Sequence, residues 1–291
     1  ELLIDFTENG KSNQGNPIFE ANPGGAPCNV LAMLAKLGHN TAFIGKVGND
    51  FFGDQLRAAI KEAGIDDVGL CTDKKIHTTL AMVHTYPDGD RDFSFYRNPG
   101  ADMMLNKTEI PEDILKETGI FHFGTLSMTH EGVREATKEA IRIAKEAGAV
   151  ISFDPNLRPP LWESLEVAKE QVLYGLEQCQ ILKISDNEIQ WLTGEEDYTA
   201  GVNWIRERYE IPMILVSMGK AGSRAYYNGL VVEAKPFLQK STIETTGAGD
   251  TFCGCVLHYI CEHGIDGLKE DDLTEMLNFA NVAASIITTR K

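Results

Sequence analysis

The sequence predicts an α/β protein built on a doubly wound, mainly parallel sheet with helices on both faces, and three observations carry that expectation. Short apolar runs recur at residues 2–6, 42–44, 120–123, 150–153, 181–184 and 214–216, each with the length of a buried parallel strand. Longer segments with a 3.6-residue apolar period lie between them, so strand and helix alternate. One region departs from the rhythm. Residues 78–86 and 91–96 are β-rich runs joined across Asp88-Gly89, a strong hairpin signal, and predict a small β flap.

In chain order, residues 2–6 open the sheet and the irregular, polar residues 7–20 join the flap. A helix follows, with Val30, Leu31, Leu34 and Leu37 as its apolar stripe, Pro27 in its first turn and Gly38 as its stop. Residues 132–147 repeat that design and stop at Gly148. A second hairpin is predicted over residues 226–232, around Asn228-Gly229. There is no internal repeat or Pro-rich linker. The expectation is one domain over residues 1–291 with lid segments at about 7–20 and 78–97.

With 291 residues and 43% hydrophobic side chains the chain can bury a sizeable core, which excludes disorder as a whole. Lys and Arg number 27 against 43 Asp and Glu, a net charge of −16 that repels phosphate backbones and anionic lipid heads. Neither nucleic acid nor a membrane surface is an expected partner. No run approaches the roughly 18 apolar residues of a span, and the first residues lack a signal-peptide pattern. The chain reads as cytoplasmic, with its true termini left open. Cysteines at 28, 71, 179, 253, 255 and 261 are too sparse and irregular for a disulfide scaffold and read as reduced thiols.

The most informative stretch is residues 244–257, a Gly-rich turn leading into an apolar helical pattern. Gly247 and Gly249 let backbone N–H groups converge, and the helix that follows points its positive end at the same spot, which makes an anion hole. Asp250 stands at its mouth. A carboxylate there repels phosphate unless it accepts a proton from an attacking hydroxyl, and the combination suggests phosphoryl transfer. The same residues could simply turn the chain, with Asp250 as a helix cap.

Thr245-Thr-Gly-Ala-Gly-Asp-Thr-Phe252 resembles the C-terminal signature of the ribokinase-like (PfkB) carbohydrate kinases. Gly24-Gly-Ala-Pro-Cys-Asn-Val-Leu31, followed by Leu37-Gly38 and by Phe43-Ile-Gly-Lys-Val-Gly-Asn-Asp-Phe-Phe-Gly53, is similar to the family's sugar-side motif. The resemblance extends over essentially the whole chain. Residues 1–6, 95–102, 153–158 with Leu161-Trp162, and 183–185 with 192–194 resemble fructokinases most. The resemblance thus implies a ribokinase-like fold with a β lid over the sugar, and transfer of the ATP γ-phosphoryl group to a sugar hydroxymethyl, foremost the 6-hydroxyl of fructose.

The resemblance also implies roles. Asp250 is the catalytic base, and the N–H groups of Gly247, Ala248 and Gly249 stabilise the phosphoryl group. Asp5, Gly24, Gly25, Asn29, Arg97 and Arg158 form the sugar side. Asp5 also ends the first predicted strand, where open sheets bind ligands, although a turn cap would look the same. Lys183, Ser217, Gly219, Gly222, Thr246 and Asn278 form the nucleotide side. Glu188 helps place Mg²⁺, with Ser185 where the family often carries Asn. Glu244 replaces the usual Asp of a monovalent-cation loop, which leaves K⁺ activation open. Sugar and ATP are the implied partners, with a homodimer through the lid.

Kinases for 2-keto-3-deoxygluconate, ribose or a nucleoside remain rivals, as does a non-catalytic sugar-binding regulator on the same scaffold. Gly10-Lys11-Ser12 is not a P-loop, because Asp5 stands where the first glycine belongs. Cys255, His258 and Cys261 recur at helical spacing and read as packing rather than a metal site.

Overall fold

The computed structural model describes residues 1–85, 91–239, 242 and 245–289. The chain divides into two compact units, Glu1–Pro111 with His130–Thr137, and Glu112–Thr129 with Lys138–Lys291.

The first unit contains β1 (Leu3–Lys11), β2 (Pro17–Gly24), α1 (Ala26–Lys36), β3 (Thr41–Gly48), α2 (Phe51–Glu62), β4 (Ile65–Asp73), β5 (Leu80–Thr85) and β6 (Arg91–Tyr96). Leu2, Ile4, Phe43, Val47, Leu56, Ile60, Ile65 and Leu70 close its core. Each such side chain contributes about 1.5–3 kcal/mol on burial. β1 pairs β2 antiparallel, with Leu3 opposite Gly24 and Asp5 opposite Asn22, and pairs β5 in parallel. β6 completes a four-stranded sheet in the order β2-β1-β5-β6. Residues 7–20 are therefore mostly strand rather than irregular: their side chains are largely exposed on both faces, so no apolar alternation marks them. The two lid strands pair as expected, with Met82 opposite Ser94. The Asp88-Gly89 turn lies outside the described residues.

β4 is a strand that the apolar runs did not flag. It carries Asp66 and Asp67 near its start yet pairs in parallel with β3, from Thr41 opposite Ile65 to Gly48 opposite Asp73. Between these strands Asp50 caps α2 by accepting the N–H of Gly53 at 2.9 Å. It also accepts the N–H of Thr78 at 2.8 Å and its hydroxyl at 2.7 Å.

The second unit contains α3 (Glu112–Glu117), β7 (Ile120–Gly124), α4 (Glu131–Glu146, shared with the first unit), β8 (Val150–Asp154), α5 (Leu165–Gln178) and β9 (Ile181–Ser185). It continues through α6 (Asp186–Thr193), α7 (Tyr198–Arg206), β10 (Met213–Ser217), β11 (Ser223–Tyr227), β12 (Leu230–Ala234), α8 (Ala248–His263) and α9 (Glu270–Ile287). Its sheet has the order β12-β11-β10-β9-β8-β7. β7 to β10 run parallel, and, as their apolar runs predict, β8 to β10 are almost wholly buried, while Ile120, Phe121 and His122 of β7 are half-buried. β11 and β12 form the predicted hairpin. Asn228 at φ 44° and Gly229 at φ 86° supply the left-handed pair that a tight hairpin turn needs. All six cysteines are free thiols. Among the described residues no helix is long and apolar enough to cross a membrane.

Candidate active site

In the first unit the backbone of Gly24 lies against the side chain of Asp5. A Cβ on Gly24 would overlap Oδ2 of Asp5, so only glycine lets the carboxylate stand where it does. Gly25 precedes α1 with φ 122°, and Asn29 lies in the first turn, its N–H donating to the carbonyl of Gly25 at 3.0 Å. Asp5, Gly24, Gly25 and Asn29 are thus joined through one strand pair and the helix that leaves it. Arg97 is held differently. Its guanidinium donates from Nε to Oδ2 of Asp102 at 2.8 Å, with Nη2 2.7 Å from the same oxygen, and its side chain is 2% exposed. The Thr79 hydroxyl donates to the other oxygen of Asp102. Asp102, at the end of the 95–102 stretch, is the partner that fixes Arg97, a role the sequence alone does not assign.

In the second unit the candidate residues gather at the carboxyl ends of parallel strands, where open sheets place ligands. Gly124 pairs with Asp154 at the ends of β7 and β8, and Ser185 with Ser217 at the ends of β9 and β10. Gly247 is the cap residue of α8 with φ 74°, a backbone state that costs a residue with a side chain about 1 kcal/mol or more. The N–H of Ala248 donates to the carbonyl of Thr245 at 3.3 Å, and the positive end of the helix that begins there suits an anion. Thr246 precedes it, half-buried, and Ala248 and Gly249 follow, also half-buried. Asp250 is 8% exposed in that first turn, and Nδ2 of Asn156 lies 3.4 Å from its Oδ1. Asn156 itself sits at φ 46°. It lies in the 153–158 stretch, but only the folded chain brings it to Asp250.

Glu188 is engaged on both oxygens. Oε1 accepts the N–H of Leu157 at 2.7 Å, while Oε2 accepts the N–H and hydroxyl of Ser185 at 2.9 and 2.7 Å. Ser185 in turn accepts the N–H of Glu188 to close a capping box on α6. Serine at position 185 is thus a helix cap that orients Glu188, which in turn anchors the loop bearing Asn156 and Arg158. Arg158 is half-buried and donates to the carbonyl of Leu157 at 3.2 Å.

Below the turn, Lys183 pairs with Asp154 at 2.9 Å. Burial alone would lower the Lys183 pKa, but the carboxylates of Asp154 and Glu188 outweigh it and push it up, so it stays an ammonium. Burial pushes Asp154 above the usual carboxylate range, with Lys183 opposing and Glu188 and Asp250 adding to the rise.

Gly219 and Gly222 flank a short turn after β10, closed by the N–H of Met218 donating to the carbonyl of Gly222 at 2.9 Å. Asn278 is exposed on α9. Three residues on, Asn281 is the buried one. It accepts the hydroxyl of Ser223 at 3.0 Å and donates to the carbonyls of Ala234 and Lys235 at 3.3 and 3.1 Å. Glu244 lies outside the described residues.

The carboxylate oxygens of Glu188 are the donor type that suits a small hard cation that keeps several waters and takes other ligands from phosphates, as Mg²⁺ does. Soft thiols take no part: Cys253 is buried behind the turn.

Residues 2–291 match the profile of the pfkB family carbohydrate kinases. The chain is 41% identical over 293 residues to fructokinase-1 of Zea mays, covering 100% of this chain and 90% of that protein. Among solved structures it is similar to a fructokinase with bound ATP from Xylella fastidiosa, with a TM-score of 0.90 and 30% identity, covering 100% of this chain and 91% of that one. A fructokinase from Vibrio cholerae O395 in a fructose-, ADP- and calcium-bound form gives a TM-score of 0.87 at 27% identity, with coverage of 100% and 91%.

Proposed function

The chain belongs to the pfkB family of carbohydrate kinases, and from that premise we propose that it transfers the γ-phosphoryl group of ATP to the 6-hydroxyl of fructose, giving fructose 6-phosphate and ADP. The observation that carries this reading is the buried Asp250 in the first turn of α8, directly after the left-handed Gly247. Asp250 accepts the proton of the 6-hydroxyl as its oxygen bonds to the γ-phosphorus and the bond to the ADP oxygen breaks. The N–H groups of Gly247, Ala248 and Gly249 stabilise the charge that spreads over the phosphoryl oxygens. Asp5 and Asn29 hold sugar hydroxyls, with Gly24 and Gly25 leaving room for the ring and Arg97 and Arg158 lining the sugar side. Lys183, Thr246 and the Ser217 to Gly222 turn serve the nucleotide, and Asn278 flanks it on α9.

Glu188 is the acidic group that would help hold Mg²⁺, and its carboxylate is oriented by the hydrogen bonds it accepts from Leu157 and Ser185. When bound, the ion neutralises charge on the phosphate oxygens. Fructose is supported by the fructokinase relatives and by the fructose-bound neighbour. Free thiols fit a cytoplasmic setting. The four-stranded lid sheet exposes Ile18 and Phe19 on its edge strand β2, which supports pairing of two copies through the lid.

The test is ADP release from Mg²⁺-ATP over a panel of fructose, 2-keto-3-deoxygluconate, ribose, glucose and adenosine. Turnover of fructose well above the rest is the expected result. Preference for another sugar would keep the chemistry and replace the substrate, and sugar binding without turnover would favour a regulator.

A further inference from the structure

Beneath the first turn of α8 lies a buried charged pair, of which the chemistry above uses only one member. Lys183 and Asp154 are 6% and 2% exposed, and Nζ of Lys183 stands 2.9 Å from Oδ2 of Asp154. The same Nζ lies 3.2 Å from the point that a Cβ on Gly249 would occupy. The ammonium is therefore set against the backbone of the turn whose N–H groups face the phosphoryl group, in a space that any side chain at 249 would crowd. Neither carboxylate oxygen of Asp154 has a hydrogen-bond partner among the described residues, so Lys183 holds it as an ion pair alone. A buried ion pair with an unsatisfied oxygen is a poor way to gain stability, since apolar residues of the same volume generally serve better. Its geometry suits another task.

We propose that Asp154 is a positioning residue, whose carboxylate fixes the Lys183 ammonium under Gly249 so that its charge adds to that of the α8 N-terminus on the transferring phosphoryl group. The inference rests on the kinase reading of the site. Glu188 and Asp250 are the other carboxylates that act electrostatically on Asp154. Glu188 is already committed to Ser185 and Leu157, and Asp250 is the proton acceptor. Asp154 alone has no task but Lys183. Without it, burial acts on Lys183 with one anion fewer to oppose it, and Glu188 remains as the carboxylate that draws the ammonium from its place under Gly249.

The experiment compares Asp154→Asn, Lys183→Met and the double variant. Asp154→Asn and Lys183→Met are each expected to lower kcat on the order of 10²-fold, the scale for removing one preorganised electrostatic contact, while the KM for sugar stays within about twofold. The double variant should be no slower than Lys183→Met alone, because Asp154 acts through Lys183. Losses that multiply, or an Asp154→Asn enzyme at wild-type rate, would overturn the proposal. If Asp154→Asn does not fold, the double variant leaves neither charge unpaired, and its rate against Lys183→Met decides the question in the same way. A wild-type chain that turns over no sugar would fail the kinase reading instead. The positioning role is then read from calorimetric titration with Mg²⁺ and a non-hydrolysable ATP analogue that carries the γ-phosphoryl group: weaker binding to Asp154→Asn supports it, and equal binding overturns it.

Discussion

The carboxylate of Asp5 occupies the space a Cβ on Gly24 would need, so a glycine on one strand sets the stance of an acid on its neighbour. Gly24→Ala must displace Asp5 without touching the chemistry at Asp250. The expected outcome is a KM for sugar raised about tenfold or more, with kcat changed much less, as for a lost ground-state contact. Steady-state kinetics in fructose check it, and an unchanged KM would remove Asp5 from the sugar side.

The acid Asp50 gives a pH dependence. Burial raises its pKa, but hydrogen bonds from Thr78, Gly53 and His77 outweigh that and leave it below the ordinary value. A group depressed in the folded state contributes stability above its unfolded pKa of roughly 4, and that contribution is lost as pH falls through the folded value. Asp50→Ala should cost about 1 kcal/mol at pH 7, the scale of a lost helix cap. The gap to wild type should shrink below about pH 4. Urea unfolding across pH checks both.

On α9 two asparagines separate stability from binding. Asn281→Ala strands the hydroxyl of Ser223 and the carbonyls of Ala234 and Lys235, and should cost about 1–3 kcal/mol. Asn278→Ala, on the exposed face, should leave the thermal midpoint unchanged. A raised KM for ATP in Asn278→Ala would support its place beside the nucleotide.

Glu188→Gln keeps the shape of the capping box but removes the charge. The Mg²⁺ concentration for half-maximal rate should rise several-fold, and chelation should abolish turnover in both proteins, reversibly on adding Mg²⁺. An unchanged metal requirement would leave Glu188 as a helix cap and loop anchor.

The parallel strands β7 to β10 were legible because β8 to β10 are buried on both faces and their runs stay mostly apolar despite His122, Ser152 and Lys183. The Asn228-Gly229 hairpin was legible because its turn demands those two residue types. β4 and the outer halves of β1 and β2 were not, because polar, exposed side chains carry no period, and their hydrogen bonds come from partners elsewhere in the chain. The same division holds at the site. Gly247 and Asp250 announce themselves as a local turn and helix start, whereas Asp154, Asn156 and Asp102 acquire meaning only from Lys183, Asp250 and Arg97. Asn278 and Asn281 lie one helical turn apart, and only packing decides which is buried.

The central claim is that Asp250 takes the proton from the sugar hydroxyl. The most direct measurement is turnover of Asp250→Asn with Mg²⁺-ATP and fructose beside calorimetric binding of fructose to the same variant. The expected result is a kcat lower by about 10²–10⁴-fold with fructose affinity nearly unchanged, the range for loss of a general base. Wild-type turnover in the variant would contradict the mechanism.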